Sequence, residues 1–219
     1  MSETGATYTE AVQEGAKMVS MPAAFSIKKV DDDPIEHENK KSKPFDDAAK
    51  SYNNSQDITG TIAERYLKEH RNLSVIDVAD LKFNNKIFTH ESDSKYEPAM
   101  ISAFRNAKGE ISAYEAQYIE RDTYNKSSLP TQKRSYGSKH GSAVILTDNS
   151  KSMNNLSIIS ESVITGLSVN DAYPDEHNLA AGGIELISSL DPDMLNDNVL
   201  ICADNDSKDL SAIKTLLKA

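Results

Sequence analysis

Apolar residues are spread unevenly along the chain, and their spacing divides it. Residues 1–57 are the more polar part: Asp31, Asp32, Asp33 and Pro34 form an acidic stop, residues 37–43 are almost wholly polar, and residues 51–56 hold no aliphatic side chain. Such a stretch cannot bury enough apolar area to offset backbone ordering, which costs roughly 1–2 kcal/mol per residue. The expectation is a disordered tail or linker, with residues 18–27 its most apolar part. From Thr59 the pattern tightens. Ile62, Ala63, Tyr66 and Leu67 fall at helical spacing, with Thr59 or Thr61 available as a cap. Leu73, Val75 and Ile76 form a short apolar patch. Leu81, Phe83, Ile87 and Phe88 predict strands around a turn at Asn84-Asn85. Residues 100–104 and 111–119 predict an antiparallel hairpin closed by Asn106-Ala107-Lys108-Gly109. Residues 122–142 read as a long polar loop, and residues 143–146 as a short strand.

Beyond Asn155 strands alternate with helices. Leu156, Ile158 and Ile159 predict a strand ending at Glu161, and Val163, Ile164, Leu167 and Val169 a helix. Residues 179–181 form a very short strand before Gly182-Gly183. Ile184, Leu186, Ile187 and Leu190 suit a second helix. Residues 199–203 make a continuous apolar run, the signature of a strand covered on both faces. Leu210, Ile213, Leu216 and Leu217 mark a final helix. This alternation predicts a parallel sheet with right-handed crossovers. The expected division is a tail at 1–57, an α+β subdomain at 58–150, and an α/β domain at 151–219 that ends one helix after its last strand.

Composition narrows the function classes. The chain has 219 residues, 38% of them hydrophobic, and a formal charge of 24 − 34 = −10; mean hydropathy is −0.55. Phosphate neutralisation dominates non-specific nucleic-acid affinity, so any such role must rest on local basic patches. The single cysteine, Cys202, excludes an intrachain disulfide and a cysteine-based zinc module. Its apolar neighbours suggest a buried thiol in a reducing compartment. No stretch approaches the roughly 20 apolar residues that span a bilayer, and no apolar signal core opens the chain, so the expected location is the cytoplasm, without membrane contact.

Two groups of residues can carry chemistry. In open parallel sheets ligands bind beyond the carboxyl ends of the strands. Glu161 follows one predicted strand, and Asp204 and Asp206 follow another, so all three carboxylates belong to one edge. Aspartates one residue apart can share a hard cation, and magnesium takes one or two carboxylates plus waters and substrate phosphates. A separate glutamate can join them or move a proton. Asp206 is equally suited to cap the last helix. The second group is Lys126, Lys133, Arg134 and Lys139, with no acidic residue from Lys126 to His140. This local reversal of sign suits a DNA backbone or a nucleoside triphosphate, with Tyr124 and Tyr136 available to stack on bases. A solvated loop is the plainer alternative. Gly182-Gly183 suits either a phosphate contact or a tight turn. The five histidines show no metal-ligand spacing.

From Thr61 onward these pieces resemble the primase-like Toprim (topoisomerase-primase) proteins of phage and plasmid primases and of the C-terminal region of conjugative-transfer relaxases. Ala63-Glu64-Arg65-Tyr66-Leu67 and His70-Arg71-Asn72-Leu73 resemble the family's opening helix. Lys95-Tyr96-Glu97-Pro98-Ala99-Met100 resembles its entry to the hairpin. Lys133-Arg134-Ser135-Tyr136-Gly137 and His140-Gly141-Ser142-Ala143-Val144 resemble its basic loop and following strand. Glu161-Ser162-Val163-Ile164-Thr165-Gly166-Leu167-Ser168, Ala181-Gly182-Gly183 and Ala203-Asp204-Asn205-Asp206 complete the order. The resemblance implies a Toprim-like parallel sheet flanked by helices, preceded by a smaller antiparallel β/α segment. It implies Glu161 as the catalytic glutamate, and Asp204 and Asp206, with Glu161, as ligands of Mg2+. The implied function is magnesium-dependent, DNA primase-like nucleotidyl transfer in plasmid conjugation or replication, with DNA and nucleotides as partners. The alternative is a non-catalytic DNA-binding or docking module beside relaxase or helicase components.

Overall fold

The computed structural model describes residues 43–74, 77–89, 91, 95–147 and 154–203. Its first element is a helix, α1 (Lys43–Asn53). Phe45, Ala48, Ala49 and Tyr52 form a stripe at helical spacing, and Phe45, Ala48 and Tyr52 are buried. Asp46 in the first turn and Lys50 in the last match the helix dipole. The ordered region therefore begins well before Thr59. The stripe is short and lies among polar residues, which is why composition alone reads it as linker. Residues 1–42 lie outside the described residues.

After the two-residue strand β1 (Gln56–Asp57), Thr61 caps α2 (Ile62–Arg65) by accepting from the Ala63 and Glu64 amides. Glu64 reaches back to the Gly60 amide at 2.7 Å. The helix widens into a π-helical turn over Tyr66–His70, which buries Tyr66 and Leu67.

Four antiparallel strands follow: β2 (Leu81–Phe88), β3 (Tyr96–Asn106), β4 (Ile111–Tyr118) and β5 (Lys133–Gly137). Asn84-Asn85 is not a turn but a register shift inside β2, and the Asn84 carboxamide accepts from the Lys86 amide at 2.9 Å. The β3–β4 hairpin forms as expected. Asn106 Oδ1 accepts from the amides of Lys108 and Glu110, each at 3.0 Å. The polar stretch expected as one loop contains β5, which pairs with β4 from Ala113↔Gly137 to Gln117↔Lys133. Its side chains alternate between exposed and half-buried.

Next come β6 (Ser142–Ile145), β7 (Leu156–Ser160), helix α3 (Val163–Ala172), β8 (His177–Ala180) and β9 (Asn198–Cys202). Strand β6 pairs antiparallel with the last two residues of β3 and with β8, while β7 lies parallel to both β8 and β9. One mixed sheet thus runs in the order β1-β2-β3-β6-β8-β7-β9, with β4 and β5 branching from β3. The second predicted helix is instead two 3-10 turns, Ile184–Ser189 and Pro192–Met194. His177 is buried with its ring nitrogens 2.9 Å and 3.1 Å from the carbonyls of Thr147 and Met194, a structural role.

Three apolar clusters hold these layers together. One joins Tyr66 and Leu67 to Phe104, Val144 and the α3 residues Val163 and Leu167. A second lies under α1, around Tyr114 and Tyr118. The third packs Ile159 and Leu179 against Ile187 and Met194. Gly166 permits the close seat of α3: a Cβ there would lie 2.6 Å from Leu146 Cδ1 and 3.2 Å from Ala180 Cβ. Among the described residues nothing covers the run at 199–203 on both faces. Strand β9 pairs only with β7 among the described strands, and Val199, Leu200 and Ile201 are 43%, 40% and 42% exposed. The predicted final helix lies outside the described residues.

Candidate active site

Parallel pairing places the ends of β7, β8 and β9 level, since Ser160 stands opposite both Ala180 and Cys202. Glu161, Ala181 and Ala203 are therefore the first residues beyond one sheet edge. Glu161 is half-buried, and its carbonyl accepts from the Gly182 amide at 2.8 Å. Ser162 then caps α3, its hydroxyl accepting from the Thr165 amide at 3.1 Å. The Ser160 hydroxyl, at the last position of β7, is buried and has no hydrogen-bond partner among the described residues. Asp204 and Asp206, expected beside Glu161, lie outside the described residues. Among the described residues no three His, Cys, Asp or Glu side chains gather as a metal site.

Gly182 brings the cationic group to this edge. Its φ is +84°, and a Cβ would fall 2.6 Å from the Phe104 ring and 3.1 Å from Lys139 Cδ. Lys139 donates to the Gly182 carbonyl at 3.4 Å, lies 4.8 Å from the centre of the Phe104 ring, and makes a short ion pair with Glu115. Glu115 is buried on β4, where it also meets Lys133 at 3.6 Å and accepts from the Ser135 hydroxyl at 3.4 Å. Lys126 stands within the field of Lys133 and Arg71. Burial first, and then these two like charges, hold its ammonium below the ordinary lysine range. Arg71 in turn donates to the Tyr66 hydroxyl at 3.0 Å.

Of the four expected contact residues, the structure brings three together. Lys126, Lys133 and Lys139 share a face, and Arg71 joins them. Arg134 does not: alternation along β5 turns it to the opposite face, where it meets Glu91 at 3.5 Å. The run free of acidic residues in sequence is thus not free of them in space, because Glu115 and Glu91 answer three of its four cations. Glu115 escaped the sequence reading, although a charge within the apolar stretch Ile111–Tyr118 is a usable signal.

The chain has counterparts among known proteins. A family described as a domain of unknown function (DUF7146) matches residues 43–146, which begin with α1 and end just after β6. No curated protein matches the chain. Among solved structures, the catalytic core of DnaG is similar at a TM-score of 0.50 and 11% identity. A DNA primase domain from Pseudomonas aeruginosa is similar at a TM-score of 0.50 and 13% identity. Each alignment covers 78% of this chain and 64% of the other. The class defined by the fold is therefore the primase-like α/β type, in which a sheet of parallel and antiparallel strands is flanked by helices. The chain spans 64% of the length of those structures. Among the described residues no helix is long and apolar enough to cross a membrane.

Proposed function

We propose that this chain carries out magnesium-dependent, primase-like nucleotidyl transfer on a DNA template, in plasmid conjugation or replication. The supporting observation is one continuous set of contacts. Lys139 joins the cationic face to Gly182, and the Gly182 amide joins the carbonyl of Glu161. Positive charge that attracts a polyanion thereby adjoins the strand edge suited to phosphoryl chemistry. We read the two subdomains, 58–150 and 151–219, as halves of this site that share one sheet, with α1 completing the first.

Glu161, Asp204 and Asp206 would hold Mg2+. The donor set is all oxygen, as a hard cation requires, and Glu161 is neither fully buried nor fully exposed. The ion supplies charge neutralisation at the reacting phosphates. Glu161 accepts the proton of the attacking hydroxyl. Lys126 and Lys133 meet backbone or nucleotide phosphates, while Lys139, tied to Glu115, holds their face against the end of β8.

The test is a priming assay with a single-stranded template, labelled ribonucleotides and magnesium, using wild type beside Asp204→Ala and Glu161→Gln. Metal-dependent product that both substitutions abolish is expected. Product unchanged in both removes the proposal. Absent product, together with salt-sensitive DNA binding lost on Lys133→Ala, identifies a non-catalytic DNA-binding module instead.

A further inference from the structure

The turn that extends α2 is π-helical over Tyr66–His70. Such turns are rare and recur at functional sites. Their hydrogen bonds run from i to i+5, which brings residues five apart to one side; the 3.6-residue turn of an α-helix would point them well apart. Two such pairs are used. In the first, the Arg71 guanidinium donates to the hydroxyl of buried Tyr66 at 3.0 Å and stands 5.3 Å from the centre of its ring. The second pair, Arg65 and His70, reaches the loop between β4 and β5. The Arg65 guanidinium lies 3.7 Å from the centre of the Tyr124 ring, and Glu69 holds it there through hydrogen bonds of 2.7 Å and 3.2 Å. His70 Nε2 is 2.9 Å from the Thr123 carbonyl oxygen. A carbonyl only accepts, so that nitrogen carries the proton and donates.

The loop needs this grip. Tyr124 has a φ of +56°, in the left-handed region that bulky residues seldom occupy. Its amide donates to the Glu120 carbonyl at 3.1 Å, closing a turn that brings Lys126 back to pair with Ile119. Lys126 then stands in the field of Lys133 and Arg71, whose like charges repel it. A loop left to itself would relieve both costs by swinging Lys126 outward.

We propose that the π-turn is the positioning device of the cationic face: it orients Arg71 through Tyr66 and, through Arg65 and His70, holds the 119–127 loop so that Lys126 stays beside Arg71 and Lys133. The proposal rests on the reading of that face as a contact for nucleic-acid phosphates. Arg65 and His70 are positioning residues, which act on a phosphate through Lys126. Cations gathered before the polyanion arrives lower the ordering cost of binding it.

The experiment is binding of the full chain to a fluorescein-labelled single-stranded oligodeoxynucleotide across a range of salt. It compares wild type, His70→Ala, Tyr124→Leu, Lys126→Gln, and the two double variants that add Lys126→Gln to each of the others. Each single variant should weaken binding and lower the salt slope by about 1. Each double variant should bind as Lys126→Gln alone does, because a displaced Lys126 has no contact left to lose. His70 is exposed, so its substitution keeps the test open should Tyr124→Leu fold poorly. Losses that add in the double variants, as they would if Tyr124 stacked directly on a base, would overturn the proposal. So would wild-type binding by both His70→Ala and Tyr124→Leu while Lys126→Gln binds weakly; that result leaves the cationic face as a contact surface. Lys126→Gln without effect overturns the proposal together with the place of Lys126 in that face.

Discussion

The Lys139 ammonium donates to the Gly182 carbonyl from 3.4 Å while paired with Glu115. The Lys139 and Glu115 side chains are only 12% and 8% exposed. An ion pair this sheltered is a poor source of net stability, but breaking it leaves a buried charge uncompensated. Its value is positional, since it ties β4 to the end of β8.

Lys139→Met should destabilise the protein by about 3 kcal/mol, the low end for breaking a buried pair, because Lys133 still faces Glu115. The double variant Glu115→Gln/Lys139→Met should recover much of that loss. Urea unfolding midpoints across the four-protein cycle measure the coupling. Independent, additive losses would show that the pair is not a unit.

Gly182→Ala should be worse than Gly109→Ala, although both glycines have positive φ, +84° and +76°. At Gly109 nothing lies within 4 Å of an added Cβ, so only the left-handed backbone cost of about 1–2 kcal/mol applies. At Gly182 the Cβ also meets the Phe104 ring and Lys139. Thermal unfolding of both variants should show the larger drop for Gly182→Ala, and equal drops would place the Phe104 contact elsewhere.

These two sites show what was legible in the sequence. The strand–helix–strand pattern from Leu156 was readable because its apolar segments follow one another at strand and helix length, and Glu161 follows from it. Strand β5 was not, because Lys133, Arg134 and Ser135 are polar on both faces and their partners on β4 are distant in sequence. The exposed flank of β9 was misread since an apolar run reports hydrophobicity but not whether a neighbour covers it. Asn84-Asn85 has turn composition yet sits in a bulge, where pairing with β3 overrides local preference. Arg71 reaches the cationic face only through the fold.

Buried tyrosines give the protein an alkaline limit. Burial, then the Asp80 carboxylate, pushes Tyr52 up to about 12. Burial also raises Tyr114, and burial followed by Tyr136 raises Tyr118 further still. A phenol with a raised folded pKa holds its proton where the unfolded chain has lost it. Its stabilisation is complete below the ordinary value of 10.0 and fades as pH rises toward about 12. Phenolate absorbance should therefore appear late and together with unfolding, and Tyr52→Phe should shift that onset. Smooth titration of every tyrosine near the ordinary value would contradict the burial under α1.

Lys126 should trade stability for binding. Burial and its cationic neighbours disfavour its charge in the folded state, a cost present below its lowered pKa and relieved as pH rises through it. Lys126→Gln should leave the unfolding midpoint unchanged or higher, yet weaken DNA binding and reduce its salt slope by about 1. An unchanged salt slope would remove Lys126 from the contact surface.

Helix α1 sets the remaining prediction, since it separates a folded element from a tether. Phe45 and Tyr52 flank Tyr114 with ring centres 5.4 Å and 5.2 Å apart, and the Tyr52 hydroxyl donates to the Ala79 carbonyl at 3.3 Å. Removing the helix would expose Tyr114, Ala116 and Tyr118 along one face of β4, a patch too apolar to stand in water. A chain beginning at Thr59 should therefore aggregate or bind a hydrophobic dye, while one beginning at Lys43 stays monodisperse with the unfolding midpoint of the full chain. Phe45→Ala in the full chain should cost about 3–5 kcal/mol, because the ring fills a sheltered site between helix and sheet. If the chain beginning at Thr59 unfolds at the same midpoint as the chain beginning at Lys43, α1 is an appendage.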